Sequence, residues 1–213
     1  MAELSLYTDD SIYKKTVAVT NRHLCNGELL PQIELICKMG VSSVILREKD
    51  MTEKEYEALA EKAIAVGNKY NTPIILHSFV KVAEGLNNKA IHLSMPDFVK
   101  MKNNKDGHYK DLSSFSIIGV STHTLEEALE AESMGASYIT VSHIYATECK
   151  KGLEPKGTDF LKEVCGAVKI PVYALGGIDF ENMKEALDSG AKKVCMMSEM
   201  MKIKLPCKTH TAI

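Results

Sequence analysis

A chain of 213 residues with 45% hydrophobic and 25% charged side chains has the make-up of a globular protein able to bury a substantial core. Its net charge of −2 leaves no broad electrostatic footprint for nucleic acid or an anionic membrane, and no apolar run approaches the roughly 20 residues of a membrane span, so small ligands are the expected partners. Six cysteines without a C-x-x-C pair, behind the acidic start MAELSLYTDD, argue against a disulfide framework and for a cytoplasmic protein.

Residues 1–15 form an N-terminal extension, after which short β-branched runs alternate with helical patterns. Strands are expected at 16–20, 42–46, 73–77, 90–93, 116–120, 138–141, 171–175 and 193–197. Several are apolar on both faces, as strands are when a barrel interior and a helical layer cover them together. Between them, Thr52-Glu53-Lys54-Glu55 and Thr124-Leu125-Glu126-Glu127 fit the capping box, in which a hydroxyl and a carboxylate three residues on satisfy orphaned backbone N–H groups. Gly40, Gly135 and Gly190 stop helices with a residue that tolerates positive φ. The polar stretch 94–114 reads as loop, and the helix starting at Ser198 is almost absent before the tail 204–213. Eight βα repeats without a linker predict one α/β domain over 1–213, a TIM (β/α)8 barrel.

In such a barrel, chemistry gathers at the carboxyl ends of the strands. Gly176-Gly177 after the seventh strand and Met197-Ser198 after the eighth fit a phosphate site, where glycine admits the anion to backbone N–H groups; the simpler reading is a tight turn with Asp179 capping the next helix. Gly152 through Thr158 lacks the lysine of a Walker loop. His143 opens the loop after strand six, where an imidazole titrating near neutrality can move a proton in either direction. Arg47 and Lys49 close strand two and suit a carboxylate or phosphate, with Glu48 expected to orient them. His77 and His123 are weaker candidates, the latter sitting in a helix start, and His92 reads as interior packing. His23, His108 and His210 read as solvent groups. Cys149 beside Lys150 is a remote candidate nucleophile.

The strand ends Thr20-Asn21-Arg22-His23, Leu46-Arg47-Glu48-Lys49-Asp50, Ile91-His92-Leu93, Gly119-Val120-Ser121-Thr122-His123 and Ala174-Leu175-Gly176-Gly177-Ile178, in order over about 16–200, resemble the family of thiamine phosphate synthase and the TenI-type thiazole tautomerase. The synthase branch joins a pyrimidine pyrophosphate to a thiazole phosphate with magnesium. Its Asn-Asp pair after strand three is His77-Ser78 here, and its aspartate after strand four is matched by Asp97 without the Gly-Gln-Glu that precedes it. The segment His143-Ile144-Tyr145-Ala146-Thr147-Glu148-Cys149-Lys150-Lys151-Gly152 resembles the tautomerase pattern instead.

The resemblance therefore implies an isomerase that aromatises a thiazole carboxylate phosphate, with His143 as acid/base and no metal or cofactor. Arg47, Lys49, Ser121, Thr147 and Lys150 would bind substrate, and Gly176, Gly177, Met197 and Ser198 its phosphate. The alternatives are the magnesium-dependent synthase and a non-catalytic protein that binds a thiamin-pathway phosphate. The implied partner is a small phosphorylated thiazole, and the family's habit of pairing implies a homodimer.

Overall fold

The computed structural model describes residues 10–103, 112–204. A short helix α1 (Asp10–Lys14) lies inside the stretch expected as an extension and leads into β1 (Thr16–Val19). There follow α2 (Leu29–Lys38), β2 (Ser43–Leu46), α3 (Glu53–Lys69), β3 (Ile74–His77), α4 (Val80–Gly85), β4 (Ala90–Ser94), α5 (Met95–Lys102) and β5 (Ile117–Thr122). The chain continues through α6 (Leu125–Ser133), β6 (Tyr138–Ser142), α7 (Gly157–Ala167), β7 (Val172–Leu175), α8 (Met183–Asp188), β8 (Lys193–Met196) and α9 (Ser198–Lys202). The strands pair in parallel and in chain order, and β1 pairs with β8, so the sheet closes into the expected barrel.

Because side chains alternate across each strand, one set fills the barrel and the other meets the helices. Val17 and Val19 of β1, Ile45, Ile75, Tyr138 and Cys195 pack inside. Ala18, Val44, Leu46, Ile91, Leu93, Val120, Ile139, Val194 and Met196 belong to the larger cluster beneath the helices. Both faces are buried, which is why the strands lack a clean polar and apolar alternation.

Helix α3 starts at the full capping box: Thr52 accepts from the Glu55 N–H, and Glu55 accepts from the Thr52 N–H at 2.9 Å. It turns Tyr56, Ala60, Ala63 and Gly67 inward at helical spacing. At α6 only half of the expected box forms, since Thr124 accepts from Glu127 but the Glu127 carboxylate takes the N–H of His123. The loop expected over 94–114 is corrected at its start: Ser94 caps α5, with Met95 and Pro96 as its first residues. Proline is tolerated there because the first helical N–H groups have no intrahelical partner. The last helix is short but anchored: Met200 and Met201 are buried, and Gln32 donates to the carbonyls of Met200 and Ile203 at 2.7 and 3.1 Å. Among the described residues no helix is long and apolar enough to cross a membrane. Cys25, Cys37, Cys149, Cys165 and Cys195 are free thiols; Cys207 and the tail from 205 lie outside the described residues.

Candidate active site at the barrel mouth

A cavity of about 430 Å³ opens at the carboxyl ends of β6, β7, β8, β1 and β2. It brings together His143, Arg47, Thr147, Lys150, Gly176, Gly177, Met197 and Ser198, all singled out from the sequence. Lys49 and Ser121 stand outside its wall, on the adjoining side of the mouth formed by β2 to β5, where Ser121 is half-buried and Lys49 is exposed.

The glycine turn after β7 is built for close approach. Gly176 and Gly177 have φ of +100° and +65°, and a Cβ on Gly177 would lie 2.4 Å from the Ala146 carbonyl oxygen. Asn182 holds the turn by donating to the Gly177 carbonyl at 2.8 Å. Asp179 accepts from the N–H groups of Glu181 and Asn182, both at 2.9 Å, so it ties the turn that leads into α8, whose own N-cap position is Asn182. Among the described residues no protein acceptor takes the N–H of Gly177 or of Ser198. Two backbone donors at one end of the cavity suit a phosphate monoester. Glu199, missed in the sequence, lines this end too; burial, then Asp179 and Glu181, push its pKa up.

His143 is 5% exposed and forms part of the cavity wall. Its Nε2 lies 3.3 Å from the Leu153 carbonyl oxygen, which can only accept, so this nitrogen carries a hydrogen. The Ser142–His143 peptide bond is cis. After it, Lys156 and Gly157 return to donate to the carbonyls of His143 and Ile144, closing the loop that carries Thr147 and Lys150. Burial, then Lys156, lower the Lys150 pKa. Cys149 lines the cavity rim, but among the described residues no base bonds its thiol, which removes the means of activating it as a nucleophile.

The role expected for Glu48 is corrected. Its carboxylate is buried and turned from Arg47 and Lys49 to the other side of the strand end, where it accepts from Thr20 Oγ1 at 2.7 Å, the Arg22 N–H at 3.1 Å and Arg22 Nη1 at 3.2 Å. Neighbouring residues of an extended segment face opposite ways, so Glu48 cannot share a face with Arg47 and Lys49. Burial, then Arg47, lower the Lys49 pKa, with Asp97 opposing them.

Beneath these cations the rings of His77 and His92 stack at 5.5 Å. Burial first, then His92, Lys49 and Arg47, take His77 down to about 2; burial, Lys49 and Arg47 take His92 to about 3. Both are neutral near pH 7. His77 Nδ1 meets Ser78 Oγ at 2.7 Å. His123 is tied to Ser142, with Nδ1 3.0 Å from its carbonyl oxygen, and exposed His23 pairs with Asp50. His108 and His210 lie outside the described residues.

The magnesium site implied by the synthase alternative does not fit these residues. A hard cation of that kind needs oxygen ligands. Here the strand-three end offers a buried neutral imidazole and a serine, Asp97 accepts from Ser94 Oγ at 2.6 Å, and Lys49 and Arg47 face the same region. Among the described residues no group of three His, Cys, Asp or Glu side chains could hold a metal.

Residues 16–200 match the family described as thiamine monophosphate synthase. The chain is 32% identical to the thiamine-phosphate synthase of Clostridium acetobutylicum, covering 89% of this chain and 87% of the relative. It is 35% identical to a putative thiamine-phosphate synthase 2 of Aquifex aeolicus, over 85% and 94% of the two chains. The solved thiamine phosphate pyrophosphorylase of Pyrococcus furiosus superposes with a TM-score of 0.75 at 25% identity, covering 89% of this chain and 88% of that one. These relatives overturn the isomerase expected from the tautomerase-like segment. That segment is a single loop, whereas the similarity to proteins named as synthases, which are transferases, extends over most of the barrel.

Proposed function

The chain belongs to the thiamine monophosphate synthase family, and from that premise we propose that it is a transferase joining a pyrimidine pyrophosphate to a thiazole phosphate. The observation that carries this reading is the bipolar mouth. Backbone donors at Gly177 and Ser198 suit the thiazole phosphate, while Arg47 and Lys150 in the same cavity, with Lys49 beside it, suit a second and more highly charged anion.

In this reaction the thiazole ring nitrogen gives its lone pair to the pyrimidine methylene carbon. The C–O bond to the diphosphate breaks, and the diphosphate leaves with the bonding pair. No proton is removed from the thiazole nitrogen, so the chemistry asks for charge stabilisation and alignment rather than a general base. Arg47, Lys49 and Lys150 would stabilise the departing negative charge. His143, its Nε2 hydrogen engaged by Leu153, would act as a fixed wall that orients the ring. No step is assigned to a metal, because the donor set at β3 and β4 does not suit one.

The test is incubation with hydroxymethylpyrimidine pyrophosphate and thiazole phosphate, with magnesium and separately with chelator. Thiamine phosphate and inorganic pyrophosphate should appear in equal amounts. Absence of both products under both conditions would rule the transfer out.

A further inference from the structure

The barrel interior holds a line of polar side chains that the transfer scheme leaves unused. Tyr138 of β6 is buried, and its hydroxyl lies 3.0 Å from Nδ1 of His92 on β4. The other nitrogen of His92, Nε2, is 2.8 Å from Oγ of Ser121 on β5. Thr140 of β6 donates its hydroxyl to that same oxygen at 3.3 Å. Strand register creates the line: His92 pairs with Gly119, and Ser121 pairs with Thr140. A Cβ on Gly119 would meet the Tyr138 hydroxyl at 2.4 Å and His92 Nδ1 at 2.5 Å, so the missing side chain opens the gap through which the phenol reaches the imidazole.

The hydrogens can be assigned in sequence. A buried phenol hydroxyl needs an acceptor, and among the described residues the one in reach of Tyr138 is His92 Nδ1. Nδ1 therefore accepts. A neutral imidazole has one hydrogen, so it sits on Nε2 and is donated to Ser121. Burial and the nearby Lys49 and Arg47 keep His92 neutral, as its pKa of about 3 requires. Thr140 is buried as well, with no other acceptor for its hydroxyl among the described residues, so it too donates to Ser121. Both lone pairs of Ser121 Oγ are then occupied. Its own hydrogen has no protein acceptor among the described residues, and the side chain is half-buried at the mouth.

We propose that Tyr138 and His92 are positioning residues that fix the Ser121 hydroxyl as a hydrogen-bond donor to an anionic oxygen of the diphosphate-bearing substrate. A serine left to itself rotates and can donate or accept; this one is committed to donation. The choice discriminates in favour of an anion and against a ligand that presents an N–H at the same point. The proposal rests on the reading that the β2 to β5 side of the mouth receives the diphosphate.

The test uses the full chain labelled with ¹⁵N at histidine, and inorganic pyrophosphate as the probe. Long-range ¹H–¹⁵N spectra should show the His92 ring, assigned by its absence from His92→Asn, protonated at Nε2. Tyr138→Phe removes the hydrogen that Nδ1 accepts; the imidazole should move toward the Nδ1–H form, and pyrophosphate affinity should fall about tenfold. Ser121→Ala should weaken binding comparably, and adding Tyr138→Phe to it should cause no further loss. Losses that multiply in the double variant would overturn the proposal, as would a Tyr138→Phe variant with undiminished affinity. The His92 tautomer of the parent chain is a readout that needs no Tyr138 variant to fold. A parent that binds pyrophosphate with Nδ1 protonated would overturn the hydrogen-bond line alone; a parent that does not bind pyrophosphate would overturn both the assigned ligand and the proposed transfer.

Discussion

A Cβ built at Gly177 would lie 2.4 Å from the Ala146 carbonyl oxygen and 2.8 Å from that of Tyr145, and the φ of +65° is one that side chains rarely adopt. Both obstacles are backbone, so relief requires the glycine turn or the loop after β6 to move, and these are two walls of the same cavity. Gly177→Ala should therefore lower thiazole phosphate affinity at least tenfold, read by titration calorimetry, and cost about 1–3 kcal/mol of stability. Gly135→Ala is the control. Gly135 follows α6 with φ of +88°, and its nearest neighbour is the end of Lys102 at 3.7 Å, so it imposes backbone strain far from the cavity and should leave phosphate affinity unchanged. If both variants bound the phosphate as the parent does, the glycine turn would not be its cradle. Gly176 constrains the site differently: its Cβ would meet that of His143 at 2.4 Å, so the imidazole wall stands only because that position carries no side chain.

At the scale of elements, the ends of β1 and β2 are joined through Glu48, which accepts from Thr20 at 2.7 Å and from Arg22 at 3.1 Å while lying outside the cavity wall. Glu48→Ala should cost about 2–3 kcal/mol in denaturant unfolding: a buried partner is lost, but Arg22 is partly exposed and rehydrates. Thiazole phosphate affinity should stay near the parent value, and a large fall would mean that this junction shapes the phosphate end. All eight strands were legible in the sequence because their apolar runs are short, β-branched and evenly spaced. Helix α5 was not, since Ser94-Met95-Pro96-Asp97 reads as a turn, although a serine cap with proline in the first turn is also a way to begin a helix. Most of the cavity could be read from strand ends, because barrel topology alone delivers those residues to one mouth. The direction of Glu48 and the link from Tyr138 to His92 could not. The first depends on where extended geometry continues past β2, and the second on strand register across 46 residues of sequence.

The molecule as a whole encloses two imidazoles beneath a cationic rim, and this arrangement fixes its response to acid. In the folded chain His77 and His92 protonate only near pH 2 and 3, while in the unfolded chain each does so near pH 6.5. Below about pH 6.5 the unfolded state binds up to two more protons than the folded one, so stability falls as pH falls; above about pH 7.5 both rings are neutral in either state and contribute no slope. Full titration of both would give about 2.7 kcal/mol per pH unit, an upper bound approached near pH 5. Carboxylates with lowered pKa, such as exposed Asp50 held down by Arg22 and His23, add to the loss only near and below their unfolded pKa of about 4, which separates the two effects. Urea unfolding at pH 7.5, 6.0 and 5.0 should therefore show a steepening decline that is already present at pH 6.0, above the range in which the carboxylates with lowered pKa contribute. His77→Gln, which keeps a polar side chain without a titrating ring, should halve the slope. A stability that stayed flat from pH 7.5 to 5.0 would mean that the two rings are not enclosed together under Arg47 and Lys49, and the cationic side of the mouth assigned to the diphosphate would lose its physical basis.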